Sequence, residues 1–379
     1  MELKTEVFFR NSIDSSRQSC RDKKIAGYSC SYIPEELIAA ADYIPYRIYG
    51  NKESNLADKY FPINFCPYVK AVWEEIHHNG DMDALVLATS CDGMRRLNDY
   101  VSYYEEKLPA FMLDIPRKSD KNSIRFFARN LEKLWFFLCK NNNIDPKDLP
   151  RIEEATRIIN RKRILLKELA AYYEDENFQL IKNTDYFNII NISLGSQAVI
   201  FNKELEAYIE KIKSLKENTD KGNRSNKDFI KVMITGNYIN DENFWSIFEN
   251  INARLISSDI CINYRYFDIK SAENKAMSGK NALFDDIAHS YMSKPACFRM
   301  AGISSKLNGL KKQISDNNIR GVIFASLKFC DNTLYSFPAL KDELNRMKIP
   351  SIFLDIEYGK SSYGQLKTRI EAFIEMLDL

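Results

Sequence analysis

Cysteine is the residue type in this chain that stands ready for chemistry. The sequence holds eight cysteines and three histidines, His77, His78 and His289. A set rich in thiols and poor in imidazoles favours zinc or iron–sulfur chemistry over a histidine-based metal site. Taken singly, a free cysteine is usually a small buried hydrophobe, so position matters more than number. Cys91 and Cys330 each fall between an apolar run and a helical pattern. Cys30 repeats the theme, between the run at residues 25–29 and a segment that Pro34 opens as a helix. That edge of a parallel sheet is where ligands bind, and a helix N-terminus there favours the thiolate. The alternative for each is a small residue that permits a tight turn. Three such placements predict that Cys30, Cys91 and Cys330 converge on one cleft. No C-x-x-C pair exists, so zinc ribbons, thioredoxin-type motifs and the cysteine runs of bacterial ferredoxins lose their signatures. Any cluster must be assembled from distant positions by the fold.

The elements that would do this alternate in type. Residues 83–90 form a continuous apolar run that reads as a buried parallel strand. A helix over 93–107 follows, then a second apolar run over 109–116. Near the end come an apolar run over 321–326, a helix over 339–348 and a strand over 350–357. An amphipathic helix over 365–377 closes the chain, with Leu366, Ile370, Phe373, Ile374 and Leu377 on one face. Alternation of this kind implies parallel βαβ sheets. Between the halves, 121–140, 150–176 and 202–216 read as helices, and the polar stretch 217–227 as a linker. The expectation is an α/β domain at 1–145, a helical insert at 146–218 and a second α/β domain at 219–379. The halves also repeat. In each, an apolar strand is followed by Cys-Asp, a helix and a proline, with intervals from cysteine to proline of 18 and 20 residues. An aspartate then lies five residues beyond each proline, at Asp114 and Asp355.

Composition bounds the function. The 379 residues are 45% apolar, enough for a sizeable core, and 54 basic side chains nearly cancel 52 acidic ones. That balance removes the electrostatic reason to expect nucleic acid or an anionic membrane as partner. No apolar stretch approaches the roughly 20 residues that span a bilayer, and the charged start does not resemble a signal peptide. A soluble cytoplasmic protein with reduced thiols is expected. Several other motifs read as bland. Gly359-Lys360-Ser361 imitates a Walker A ending, but Leu354 stands where its first glycine belongs. His77-His78 reads as a solvated helix end, Leu134–Leu138 as core, and the basic cluster from Arg157 to Lys167 as the solvated face of an insert helix.

Against this background, Gly27-Tyr-Ser-Cys30-Ser-Tyr-Ile-Pro-Glu-Glu-Leu-Ile38 and Thr89-Ser-Cys91-Asp-Gly93 resemble motifs of the 2-hydroxyacyl-CoA dehydratase and benzoyl-CoA reductase superfamily. Glu357-Tyr358 with Gly364-Gln-Leu-Lys-Thr-Arg369-Ile-Glu-Ala-Phe-Ile-Glu375 resembles its C-terminal signature. The matches span nearly the whole chain. The resemblance implies two similar Rossmann- or flavodoxin-like parallel-sheet domains with a cluster in the cleft between them. In dehydratase-type subunits three cysteines hold one [4Fe-4S] cluster, and here these would be Cys30, Cys91 and Cys330. A separate branch, the double-cubane cluster proteins, uses six thiolates for two cubanes joined by a sulfide, an [8Fe-9S] centre. Cys66, in Asn64-Phe-Cys-Pro-Tyr-Val-Lys70, looks like that branch's Cys-Pro motif, and Cys261 and Cys297 would complete the six. Cys261 matches least well, and Ala41 stands where many relatives have glycine. Cys20 and Cys139 read as ordinary thiols.

The double-cubane likeness implies an iron–sulfur oxidoreductase of anaerobic metabolism that reduces a small-molecule substrate. A separate ATP-hydrolysing iron–sulfur activator would charge it with low-potential electrons, and a homodimer is expected. The cluster itself would do the chemistry, with no catalytic side chain assigned. Asp92 and Asp331, following their cysteines, read as helix N-caps or as groups that support the cluster and deliver protons. Two alternatives stand beside this reading: a [4Fe-4S] subunit of a 2-hydroxyacyl-CoA dehydratase or aryl-CoA reductase, and a non-catalytic electron-transfer or cluster-carrying protein.

Overall fold

The computed structural model describes residues 23–50, 56–78, 81–175, 181–219, 229–269, 280–357 and 363–378. Cys20, most of the expected linker and Gly359-Lys360-Ser361 lie outside these residues. Two four-stranded parallel sheets organise the chain. The first contains β1 (Lys24–Tyr28), β2 (Tyr43–Arg47), β3 (Ala84–Ala88) and β4 (Ala110–Leu113), in the order β2-β1-β3-β4. The second contains β5 (Ile230–Gly236), β6 (Ala253–Asp259), β7 (Gly321–Leu327) and β8 (Ser351–Ile356), in the order β6-β5-β7-β8. The two orders are the same once the strands are renumbered, so the α/β class and the duplicated unit expected from the sequence are both present. β3 and β7 are buried along their whole length, as central strands covered on both faces must be. At the end of β5 the backbone of β7 comes so close that a Cβ on Gly236 would lie 1.9 Å from the Ala325 carbonyl oxygen. Only glycine fits there.

Between β1 and β2 lies the short helix α1 (Glu35–Ala40), and α2 (Pro67–His78) precedes β3. α3 (Asp92–Tyr104) joins β3 to β4, and α4 (Lys121–Asn141) follows β4. Then come α5 (Pro150–Glu174), α6 (Asn183–Ser193) and α7 (Ala198–Thr219). The second half adds α8 (Glu242–Ser246), α9 (Tyr264–Phe267), α10 (Lys280–Met292), α11 (Ile303–Asn317), α12 (Asp331–Arg346) and α13 (Tyr363–Asp378). The five apolar residues expected on the last helix are all buried. α12 starts at Asp331 rather than near 339 and carries Pro338 inside. The Cys330 carbonyl, accepting from the Thr333 and Leu334 N–H groups, closes a first turn ahead of that proline.

One apolar core runs from Leu85 and Leu87 of the first sheet, through Leu165, Leu169, Phe201 and Leu205 of the intervening helices, to Ile234 and Ile323 of the second. The opposite face of the first sheet packs on α4 and, from the second half of the chain, on Phe284, Ile287 and Tyr291 of α10. The two sheets are thus held by shared cores, and a site between them has fixed walls.

The basic cluster on α5 is not a solvated face throughout. Lys162 and Arg163 are buried and bind Glu35 and Glu36 of α1, each at 2.6 Å. Tyr28 and Tyr266 donate further hydrogen bonds to Glu35, and Tyr291 to Glu36. Charge alone suggests solvent, but acids 127 positions earlier in the chain supply the partners that make burial tolerable. Leu134, Trp135 and Leu138 are core as expected, with Phe136 turned partly outward. His77 lies at the open end of α2, stacks on Trp73 and meets Glu105 at 2.5 Å.

Candidate metal centre

Six cysteines sit at ends of elements around the junction of the two sheets. Cys30 follows β1, Cys91 follows β3, Cys261 follows β6, and Cys297 lies between α10 and α11. Cys66, Cys91 and Cys330 occupy equivalent places at the starts of α2, α3 and α12. Their carbonyls accept the first helical bonds, from Lys70, Arg95 and Leu334. The N-caps of α3 and α12 are therefore the cysteines, and Asp92 and Asp331 stand one residue inside, exposed to solvent. Backbone N–H groups three residues on, those of Val69, Met94 and Thr333, favour the three thiolates.

The halves of the chain meet here. Asn332 of α12 donates to the Ser90 carbonyl at 3.4 Å, beside Cys91. A Cβ on Gly93 would lie 3.3 Å from Val69, 3.7 Å from Phe65 and 3.8 Å from the Cys91 sulfur, which brings the starts of α2 and α3 together. Asn237, just past β5, donates to Cys330 Sγ at 3.3 Å and to Thr333 Oγ1 at 2.9 Å, while its oxygen accepts from the Leu327 N–H. On the other side, the buried Arg265 points Nη1 at Cys297 Sγ (3.5 Å) and Cys261 Sγ (3.9 Å). Lys294, also buried, donates to Ser31 beside Cys30 and stands 3.9 Å over the Tyr32 ring.

The thiols crowd one another electrically. Burial pushes Cys66 up to about 12, with the charges of Cys330 and Cys91 adding to it. Burial raises Cys91 and Cys330 in the same direction. Cys261 and Cys297 act on each other: their closeness raises Cys261 and lowers Cys297, which is nearer to Arg265. Four buried cations feel these thiols, Arg47, Arg265, Lys294 and Lys306, and a fifth, Arg299, lies buried two residues past Cys297 with its guanidinium over the Tyr32 ring. One carboxylate, Asp259, is bound among them, by both Arg265 and Lys306. Arg47 lies over the rings of Tyr28 and Tyr238, and its Nε has no hydrogen-bond partner among the described residues. Burial holds Lys294 down at about 7, against the pull of Cys30, Cys297 and Cys261. A buried positive excess that thiolates would satisfy, and buried thiols that a metal core would ionise, are complementary.

This donor set fits a thiolate-ligated, anionic cluster. No three His, Cys, Asp or Glu side chains among the described residues close on a single ion, as ligands about 2.3 Å from one zinc must. A polynuclear cluster instead interposes iron and sulfide between its thiolates. Cys139 lies buried in α4 with no part in the site. Sequence reading missed Arg47, Asn237, Arg265, Lys294 and Lys306. Arg265, four residues after Cys261, and Lys294, three before Cys297, left a signal, a cation close in sequence to a cysteine. A cavity of about 190 Å³, lined by Cys297, Lys306, Asp331, Asn332 and Tyr335 among others, opens beside this cluster of groups.

Fold and site together define a duplicated α/β protein with a thiol-lined centre at the junction of its sheets. The chain belongs to the family described as 2-hydroxyglutaryl-CoA dehydratase, D-component, whose model matches residues 30–377. It is similar to the (R)-phenyllactyl-CoA dehydratase beta subunit of Clostridium sporogenes, with 22% identity over 94% of this chain and 92% of that one. The lactoyl-CoA dehydratase subunit beta of Anaerotignum propionicum matches at 22% over 94% and 92%. A benzoyl-CoA reductase subunit of Thauera aromatica matches at 22% over 91% and 88%. Among the described residues no helix is long and apolar enough to cross a membrane.

Proposed function

We propose that this protein is an iron–sulfur reductase whose six thiols, Cys30, Cys66, Cys91, Cys261, Cys297 and Cys330, hold a double-cubane [8Fe-9S] cluster. The carrying observation is the buried charge: five cations around the thiols, Arg47, Arg265, Lys294, Arg299 and Lys306, against one carboxylate, Asp259, among the described residues. Two cubanes, a bridging sulfide and six thiolates sum to about four negative charges, whereas one cubane on three thiolates carries about one. The four cations left without a carboxylate suit the larger anion. When bound, the cluster supplies low-potential electrons to a substrate.

The chain's own residues then have separable tasks. The starts of α2, α3 and α12 favour three thiolates, Arg265 and Asn237 donate to sulfur, and Arg47, Lys294 and Lys306 offset the charge. A small molecule would reach Cys297 through the adjoining cavity. Its electrons would come from a separate ATP-hydrolysing iron–sulfur activator. The apolar side chains of Ile63, Phe329, Leu334 and Tyr335, exposed beside Cys66 and Cys330, suit the docking of such a protein.

A second reading is favoured by the relatives, several of which are named as beta subunits. Here the chain would bind one [4Fe-4S] cluster, pair with a dissimilar subunit and act on a CoA thioester. Iron and acid-labile sulfide per chain, measured on protein purified without oxygen, separate the two. About eight iron and nine sulfide are expected for the reductase. About four of each would transfer the protein to the dehydratase reading, and iron near zero would remove both.

A further inference from the structure

We infer that the six thiols work as two triads of unequal charge: Cys66, Cys91 and Cys330 in one, and Cys30, Cys261 and Cys297, ringed by the buried cations, in the other. The inference rests on the double-cubane reading and deepens it. It also departs from the assignment of Cys30, Cys91 and Cys330 to a single cubane.

Contacts carry the first triad. The starts of α2 and α3 touch, because Gly93 has both Val69 and the Cys91 sulfur within 3.8 Å of where its Cβ would be. α12 reaches the same place through the Asn332 contact to the Ser90 carbonyl. Each thiol of this triad caps a helix, and the side chain seen donating to it is neutral, Asn237 to Cys330. Contacts also carry the second triad. The Arg265 guanidinium spans Cys261 and Cys297. Lys294, three residues before Cys297, binds Ser31, the neighbour of Cys30. Lys306 reaches both Asp259 and the carbonyl of Ala296, beside Cys297. Arg265 also bonds the Gly236 and Asp259 carbonyls, so its position is fixed from several sides.

Unequal charge has a redox consequence. Fixed cations stabilise the more negative, reduced form of a nearby centre, whereas neutral amides do so less. The half held by Cys30, Cys261 and Cys297 therefore takes up the first electron. That electron comes from a low-potential one-electron donor, for which titanium(III) citrate serves in a titration. The donor is oxidised by one electron, the cluster is reduced by one, and no bond in the chain changes.

The full chain is purified without oxygen in four forms: wild type, C66A/C91A/C330A, C30A/C261A/C297A and the mixed variant C30A/C91A/C330A. The expected iron contents are about eight, four, four and near zero, since the mixed variant breaks both triads. A mixed variant that keeps four iron, while the other two lose nearly all, overturns the partition. Wild-type iron near four would instead defeat the underlying double-cubane reading, a separate failure. Should a triple variant lack native circular dichroism, Mössbauer spectra of the single variants C66A and C297A decide. Each should alter a different half of the iron, and alteration of the same half by both overturns the partition. Charge asymmetry is read by titration: R265Q should move the first reduction step to lower potential and leave the second in place. A shift of the second step alone, or of neither, refutes the unequal-charge claim.

Discussion

A thiol placed at a helix N-terminus meets N–H groups that favour its charged form, yet burial opposes that charge more strongly. Both effects act on Cys66, Cys91 and Cys330, and burial wins in each. These thiols thus stay protonated in the metal-free chain and must lose protons to bind iron. Cluster reconstitution from iron and sulfide should slow as pH falls from about 8 to 6, which release of protons into a weak buffer would report. Asn237 belongs to the same scale. It joins the end of β7 to Cys330 through one amide, so N237A removes a hydrogen bond to sulfur. The reduction potential of the loaded protein should fall by on the order of tens of millivolts, as followed by redox titration. An unchanged potential would show that this contact is structural only.

Among elements, the docking of α1 on α5 carries the largest electrostatic stake. Lys162–Glu35 and Arg163–Glu36 are both buried. Removing one partner strands the other, so R163M should cost about 3–5 kcal/mol in urea unfolding, and R163M/E36L much less. Burial alone would raise Glu36, but the Arg163 charge and the hydrogen bonds from Arg163 and Tyr291 outweigh it and hold it low. Its contribution is fully present above the ordinary carboxylate range and is lost as pH falls through its lower folded value. Glu174, the last residue of α5, behaves in the opposite sense. Burial raises it to about 8, against a hydrogen bond from Tyr264 and the charge of Arg254. It stays protonated in the fold while the unfolded chain ionises, so stability declines from about pH 4.5 to pH 8. E174Q should flatten that decline and add on the order of 3 kcal/mol at pH 8, measured as the shift in urea midpoint.

At the scale of the molecule, each sheet and its loops supply three of the six thiols: Cys30, Cys66 and Cys91 from the first half, Cys261, Cys297 and Cys330 from the second. On the double-cubane reading, a centre held this way would tie the halves together. Chelating the iron should therefore raise amide exchange together in the loops around all six cysteines, while β3 and β7 keep their protection. Exchange confined to one half would contradict shared ligation. The sequence by itself determined the alternation of strands and helices, the repeat around Cys91 and Cys330, and the amphipathic last helix, because period and spacing are local properties. It also singled out six thiols as candidate ligands, since ligand chemistry follows residue type. Tertiary structure alone decided that Lys162 and Arg163 are buried, that cysteines rather than aspartates cap α3 and α12, and that Arg265, Lys294, Lys306 and Arg47 face the thiols. Those outcomes depend on distances between residues up to hundreds of positions apart, and a buried charge is tolerated only where the fold brings it a partner.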